Sequence, residues 1–235
     1  MHQPGRTGFG RNLLQIIGHV GQDPQSTQTR LGLRTRFPVA VNRGQHLEWF
    51  QVHAYRALAT ESQRRVRKGQ LVYVEGALRI RRYEDRDGRQ RVVSALLASQ
   101  VQAHPETGGS LNRWLAAGRL GTEPVLHYSA QGVAYIELAI GADIPRPEQE
   151  YVSRVVDWIP VALWGPDAEQ AALLAATGRT VVAAGYARSE QWETDEGEQR
   201  SRWRLIPTER LRFIGTREHW DRRAARSRSG AQEAA

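Results

Sequence analysis

Two stretches of this chain say the same thing at a distance. "EWFQVHAY" (Glu48 to Tyr55) and "DWIPVALW" (Asp157 to Trp164) each run acid, Trp, apolar, a variable residue and Val, and each ends on an aromatic six residues after its Trp. The likeness extends around them. "NLLQIIGHVGQDP" from Asn12 and "NRWLAAGRLGTEP" from Asn112 share Asn12, Gly18, Gly21 and Pro24 with Asn112, Gly118, Gly121 and Pro124. "GLRTRFPVAV" from Gly32 parallels "GVAYIELAI" from Gly132 with one residue dropped, and "KGQLVYVEG" from Lys68 parallels "TGRTVVAAG" from Thr177. "RRYEDRDGRQR" from Arg81 parallels "EQWETDEGEQR" from Glu190. Self-similarity of this kind marks one unit written twice, and each copy has an ordinary domain's length. The expected plan is a flexible arm at 1–11, a first domain at 12–103 and a linker at 104–111 rich in Pro, Gly and Ser. A second domain follows at 112–214, then a polar, arginine-rich tail at 215–235 that is expected to be disordered.

Within the first copy, strand-like runs cover 12–21, 31–42, 47–55, 70–82 and 91–102, most of them separated by Gly, Pro or Asp/Gly turns. One helical stretch interrupts them, "RALATESQRRVRKG", which closes on basic residues and Gly69. Its counterpart, "GPDAEQAALLAATG", has Pro166 at its start and Gly178 at its end. Three strands, a helix and two more strands is the order of a five-stranded OB-type barrel with its helix between strands three and four. The predicted fold is all-β, two such barrels in tandem.

Side chains alternate between the faces of a strand. Phe50, Val52 and Ala54 therefore form one apolar, inward set, and Trp49, Gln51, His53 and Tyr55 face out. The second copy repeats this, with Ile159, Val161 and Leu163 inward and Trp158 and Trp164 outward; Pro160 in mid-strand predicts an edge or bulge position. In the fourth strand Val72, Val74, Gly76, Leu78 and Ile80 share one face, and Arg79, Arg81 and Tyr83 share the other. The second copy puts Tyr186, Arg188 and Trp192 on that outer face. Aromatics interleaved with arginines on a solvated face suit a single strand of nucleic acid: bases stack on the rings and arginines meet phosphates. The arginine pair Arg34 and Arg36 joins this set. Trp114, Trp203 and Trp220 have no matching aromatic in the first copy and read as packing residues. Arg64, Arg65 and Arg67 read as a solvated helix face.

The formal net charge is +8, and Lys68 is the only lysine among the basic residues. A basic chain fits a polyanion partner, as does the arginine codon bias of a GC-rich genome. The charge is unevenly shared. Residues 1–103 hold 17 Arg/Lys and 7 Asp/Glu, whereas residues 104–213 hold 11 and 15. The first copy is therefore expected to neutralise phosphates and the second to contribute stacking or a dimer platform. Without cysteine there is no disulfide, thiolate chemistry or Cys-based zinc site. The seven histidines are scattered, and no catalytic set, phosphate loop or metal-ligand cluster stands out, so no catalytic residues, metal or cofactor are predicted. No apolar run is long enough to span a bilayer, and the N-terminus lacks a signal-peptide core, so the expected location is cytoplasmic, at the nucleoid, with no membrane partner.

"IIGHVGQDPQ", "RFPVAVNR", "EWFQVHAY" and "RKGQLVYVEGALRIRRYEDRDGRQR" together resemble the bacterial single-stranded DNA-binding protein family over nearly all of the first copy. The second copy keeps "GRLGTEP", "DWIPVALW" and the Trp192 hairpin. The resemblance implies an OB fold, no catalysis and binding of single-stranded DNA with little sequence preference, in replication, recombination and repair. It also implies base stacking on Trp49, Tyr55 and Tyr83 and on Trp158, Trp164 and Trp192, and a homodimer presenting four OB domains. Three departures stand out. The usual member carries one OB domain and works as a tetramer, whereas this chain carries two. "NRGQHLE" lacks the tryptophan that the family often carries after its second strand, and "SRSGAQEAA" lacks the acidic tip through which members recruit replication and repair enzymes, so recruitment by that route is not expected. A protein-interaction module of primosome type and a binder of single-stranded RNA are the competing readings, since OB platforms accept both kinds of partner.

Overall fold

Long runs with one face buried make the main strands, and the second copy repeats them in order. The computed structural model describes residues 10–84, 88, 90–104, 109–121, 123–144, 155–193 and 199–215. The first barrel comprises β1 (Arg11–Val20), β2 (Gln25–Thr29), β3 (Gly32–Arg43), β4 (His46–Tyr55), α1 (Arg56–Arg65), β5 (Leu71–Glu84) and β6 (Gln90–His104). The second comprises β7 (Leu111–Leu120), β8 (Leu126–Tyr128), β9 (Ala134–Ile144), β10 (Val155–Trp164), α2 (Gly165–Leu174), β11 (Thr180–Glu193), β12 (Gln199–Pro207) and β13 (Arg212–Ile214). The architecture is the expected tandem pair of OB barrels. The short strands β2, β8 and β13 are additions to it. β2 carries no apolar alternation; it forms as an edge ladder on β3, where the Ser26 and Thr35 hydroxyls meet at 2.7 Å.

Each barrel closes in the same way. β1 pairs with β5 and, at its end, with β3, and β4 meets β6 in parallel at Val52↔Leu96. In the second barrel β7 pairs with β11 and β9, and β10 meets β12 at Val161↔Leu205. Gly18 and Gly118 stand where the first strand crosses between its two neighbours. A Cβ there would lie 2.2 Å from the Ala40 carbonyl oxygen and 2.1 Å from that of Gly141, so only glycine lets the backbones close. Pro160 sits in a strand laddered along one edge to β9 and touching β12 only near Val161, which leaves room for a residue without an N–H.

Both helices end earlier than their sequences suggest, at Arg65 and Leu174 rather than at Gly69 and Gly178. The cause is burial. Val66 and Ala175 are 1% and 2% exposed, and they leave the helix in an extended conformation to seal the barrel. Gly69 and Gly178 then form the turns that follow, at φ +83° and +79°, donating to the Val20 and Leu120 carbonyls at 2.7 Å each. No helix among the described residues is long and apolar enough to cross a membrane.

The two barrels are joined edge to edge. β1 and β7 run antiparallel from Arg11↔Ala117 to Ile17↔Leu111, so β5, β1, β7 and β11 form one continuous sheet. This pairing creates an approximate two-fold axis within one chain, and equivalent residues meet around it. Trp114, fully buried, donates from Nε1 to Asn12 Oδ1 at 2.9 Å, while Asn12 Nδ2 donates to the Leu78 carbonyl. Trp203 stacks on Phe50 at 4.7 Å and donates to Ser94 Oγ at 2.8 Å, Ser94 being its own counterpart in the first copy. Both tryptophans are packing residues, as expected; Trp220 lies outside the described residues.

The acid before each outward Trp belongs to this interface. Glu48 and Asp157 share the inward parity of Phe50 and Ile159, and each reaches the opposite barrel. Asp157 Oδ2 lies 3.4 Å from Arg79 Nε, with both side chains nearly buried. Glu48 accepts the Ser189 N–H at 3.0 Å beside Arg188, the counterpart of Arg79. Burial raises the Glu48 carboxyl above its usual range, and the Ser189 bond and the Arg188 charge act against that rise. Removing one partner of a buried ion pair strands the other. Asp157→Ala is expected to lower the unfolding free energy by about 3–5 kcal/mol in a urea titration. The double variant Arg79→Met with Asp157→Leu is expected to recover most of that loss.

Candidate nucleic-acid interface

The outer faces of β4 and β10 present their aromatics as the alternation predicts. Trp49 is 51% exposed and Trp158 53%, unusual values for tryptophan in a structure with so much buried surface. Trp164, Tyr83 and Trp192 are also exposed, and Tyr55 is half-buried. Six residues along a strand separate Trp49 from Tyr55 by about 20 Å, so the two rings can serve different bases. Tyr83 and Trp192 sit on β5 and β11 near the tips of the hairpins that run out of each barrel.

The two leading tryptophans are propped from below. A Cβ on Gly21 would lie 2.4 Å from Trp49 Cζ3, and one on Gly121 would lie 2.1 Å from Trp158 Cζ3. The six-membered ring of each indole therefore rests directly on a glycine. Neither glycine has a positive φ, so the requirement is space. This explains the second repeated glycine of "GHVG" and "GRLG", which sequence reasoning matched without a role.

The arginines divide into those offered to solvent and those already engaged. Arg36 and Arg81 are exposed, and Arg36 also donates to Gln25 at 3.0 Å. Arg34 is half-buried, and its Nε, shielded from solvent, has no acceptor among the described residues. Cross-strand register sets Arg34 opposite Tyr55 and Arg36 opposite His53. Burial first, then the charges of Arg34 and Arg36, hold the His53 imidazole below its usual range, so it adds no positive charge at neutral pH. Arg79 corrects the expectation of an outward arginine. It lies on the predicted face of β5, but the second barrel covers that face there and Asp157 takes up its charge, so it is only 7% exposed. Arg188 is half-buried beside Glu48 in the equivalent place. Tyr186 is also spoken for: the Arg43 guanidinium lies 3.4 Å over its ring. Sequence reasoning treated these three as single-barrel surface and missed their place between barrels. The available signal was the inward parity of Glu48 and Asp157, two carboxylates that needed partners.

Around the second aromatic of each pair the barrels diverge. Register places Tyr135 opposite Trp164, where Arg34 faces Tyr55, and Glu137 opposite Ala162, where Arg36 faces His53. Tyr135 stacks with His127 at 5.1 Å. Glu137 pairs with Arg204 and Arg202, and Glu190, at the position of Arg81, accepts from the same two arginines at 2.9 and 3.0 Å. Arg202 also lies 5.3 Å over the Trp192 ring. Around these rings the second barrel thus engages Arg202 and Arg204 with its own carboxylates and with Trp192. Among the described residues no cluster of His, Asp and Glu could hold a metal.

Comparison with known proteins places this geometry. The model of the single-strand binding protein family matches residues 11–104 and again 111–213. The chain is 26% identical over 225 residues to a single-stranded DNA-binding protein of Deinococcus radiodurans, covering 85% of this chain and 74% of that one. It is 24% identical over 226 residues to a single-stranded DNA-binding protein of Thermus aquaticus, covering 83% of this chain and 82% of that one. The crystal structure of the wild-type single-stranded DNA binding protein from Thermus aquaticus shares its fold, with a TM-score of 0.68 at 22% identity, over 88% of this chain and 94% of that one.

The glycine rests can be tested without a ligand. Gly21→Ala or Gly121→Ala is expected to push the indole off its rotamer, a strain of about 0.5–1.5 kcal/mol. Tryptophan emission should shift to the red and acrylamide quenching should rise, while the far-ultraviolet circular dichroism stays unchanged.

Proposed function

The chain belongs to the single-strand binding protein family and binds single-stranded DNA without catalysis; from that premise we propose how its two barrels share the strand. Bases stack on Trp49, Tyr55 and Tyr83 in the first barrel and on Trp158, Trp164 and Trp192 in the second. Phosphates are held mainly by the first barrel, through Arg34, Arg36 and Arg81. The observation that carries this reading is the exchange of Arg34, Arg36 and Arg81 for Tyr135, Glu137 and Glu190 around otherwise equivalent rings. Stacking on an aromatic contributes about 1–3 kcal/mol per base and tolerates any base, which suits a strand covered irrespective of sequence during replication, recombination and repair at the nucleoid.

The same reading extends to assembly as a homodimer with four OB barrels. The outer face of the β5–β1–β7–β11 sheet carries Leu13, Ile17, Leu111 and Leu115, apolar residues that this chain alone leaves half-covered. Packing two such sheets face to face would bury them.

Titration with oligo-dT, followed by tryptophan fluorescence at several salt concentrations, tests the proposal. Strong quenching is expected, with affinity falling as salt rises. Trp49→Ala and Trp158→Ala should each weaken binding by about 1–3 kcal/mol. Arg36→Ala should reduce the log–log salt slope by about 0.7, the share of one single-strand phosphate, whereas Glu137→Gln should leave that slope unchanged. Wild-type binding by both tryptophan variants would overturn the stacking assignment. Sedimentation velocity reporting a monomer at micromolar concentration would overturn the dimer.

A further inference from the structure

The turn from β4 into α1 holds the one non-glycine residue with a positive φ among the described residues. Arg56 has φ +55°, and Gly165, in the same turn of the second barrel, has φ +58°. The same backbone corner is thus built twice, once from the residue suited to the left-handed region and once from an arginine that is strained in it. Folding alone gives no reason for the arginine, because the second barrel shows that glycine makes the turn.

The surroundings supply one. Arg56 directly follows Tyr55, its side chain is exposed, and it has no ion-pair partner among the described residues. A Cβ placed on Gly32 would lie 3.8 Å from Arg56 Cγ, so the aliphatic stem lies beside the start of β3, two residues from Arg34. Arg34, with its orphaned Nε, and Arg36 complete the group. The counterparts of the three are Tyr135, Glu137 and Gly165, so all three positions around the second ring gain a guanidinium in one barrel and none does in the other. Strain retained at one residue, beside a ligand face, is an observed outlier that points to function.

We infer that Arg56 is a phosphate-binding residue. It would hold the DNA backbone beside the base stacked on Tyr55 and draw the strand over the start of α1 on the first barrel only. This rests on the reading that DNA lies across the β3–β4 face, and the test separates the two.

Arg56→Gly, Arg56→Ala, Arg56→Lys and Arg65→Ala are made in the full chain, melted, and titrated with oligo-dT across a salt series. Arg65 is an exposed α1 arginine paired with Glu61 at 3.2 Å, so its removal reports the effect of net charge alone. Arg56→Gly should melt no lower than wild type, since it relieves the strained φ. It should nevertheless bind roughly three- to tenfold more weakly at low salt, with a log–log slope smaller by about 0.7. Arg56→Ala should lose the same affinity without the gain in melting temperature, and Arg56→Lys should keep the slope. Wild-type affinity and slope in Arg56→Gly would overturn the inference, as would an equal loss in Arg65→Ala. A melting temperature for Arg56→Gly well below wild type would overturn the strain argument. If Trp49→Ala and Arg36→Ala also bind like wild type, the β3–β4 face itself is wrong; if they weaken and Arg56→Gly does not, only the Arg56 assignment falls.

Discussion

The pairing of β1 with β7 is the constraint from which the rest follows. An OB barrel leaves its first strand with a free edge over part of its length, and such an edge invites a partner. Here the partner is the same strand of the second copy, so the edges cancel within one chain and a two-fold relation is imposed on everything beside them. Once that relation exists, some residues that reach across in one direction are matched by counterparts reaching back. Asp157 with Arg79 and Glu48 with Arg188 are the charged case, and Trp203 on Ser94 is the case where one position meets its own equivalent.

The strand period explains why the acid and the tryptophan sit side by side in both copies. Neighbouring residues point to opposite faces. Glu48 and Asp157 turn inward to clasp the other barrel, and Trp49 and Trp158 turn outward to solvent. One short stretch therefore ties the ligand face to the joint between barrels, and the glycine beneath each indole fixes the ring's height above the sheet. On the proposed reading, rings placed in this way would lose little conformational freedom when a base stacks on them, which would favour affinity.

Much of this was legible in the sequence because it depends on local periods. The repeat showed two copies, and the alternation sorted Phe50, Val52 and Ala54 from Trp49 and Tyr55 correctly. What stayed hidden depends on surfaces that a single barrel does not possess. Arg79 has the outward parity of Arg81 and differs only in lying under the second barrel. Tyr186 looked like a stacking ring until Arg43 arrived from the other copy to cover it. The helix ends were misplaced for a related reason: Gly69 and Gly178 are strong local stop signals, but burial of Val66 and Ala175 ended the helices first. Short β2 lacked any apolar pattern because its pairing with β3, not its burial, holds it.

The copies share part of the joint and differ most around the second ring of the face. Asn12 and Asn112 both bond to the strand beside them, and the glycine rests are equal. Substitution has instead gathered at the solvated positions flanking the second ring, where Arg34, Arg36 and Arg56 stand against Tyr135, Glu137 and Gly165. A symmetric ligand face would spread phosphate contacts over both barrels. On the proposed reading the face combines charged contacts, concentrated on the first barrel, with stacking contacts on both, and each kind responds to a different variable. Salt screens the first and leaves the second largely untouched. As ionic strength rises, a strand bound in the proposed way would lose phosphate contacts on the first barrel while stacking on the rings of both persisted. The β1–β7 pairing keeps the barrels side by side, so a segment loosened from the first would stay within its reach.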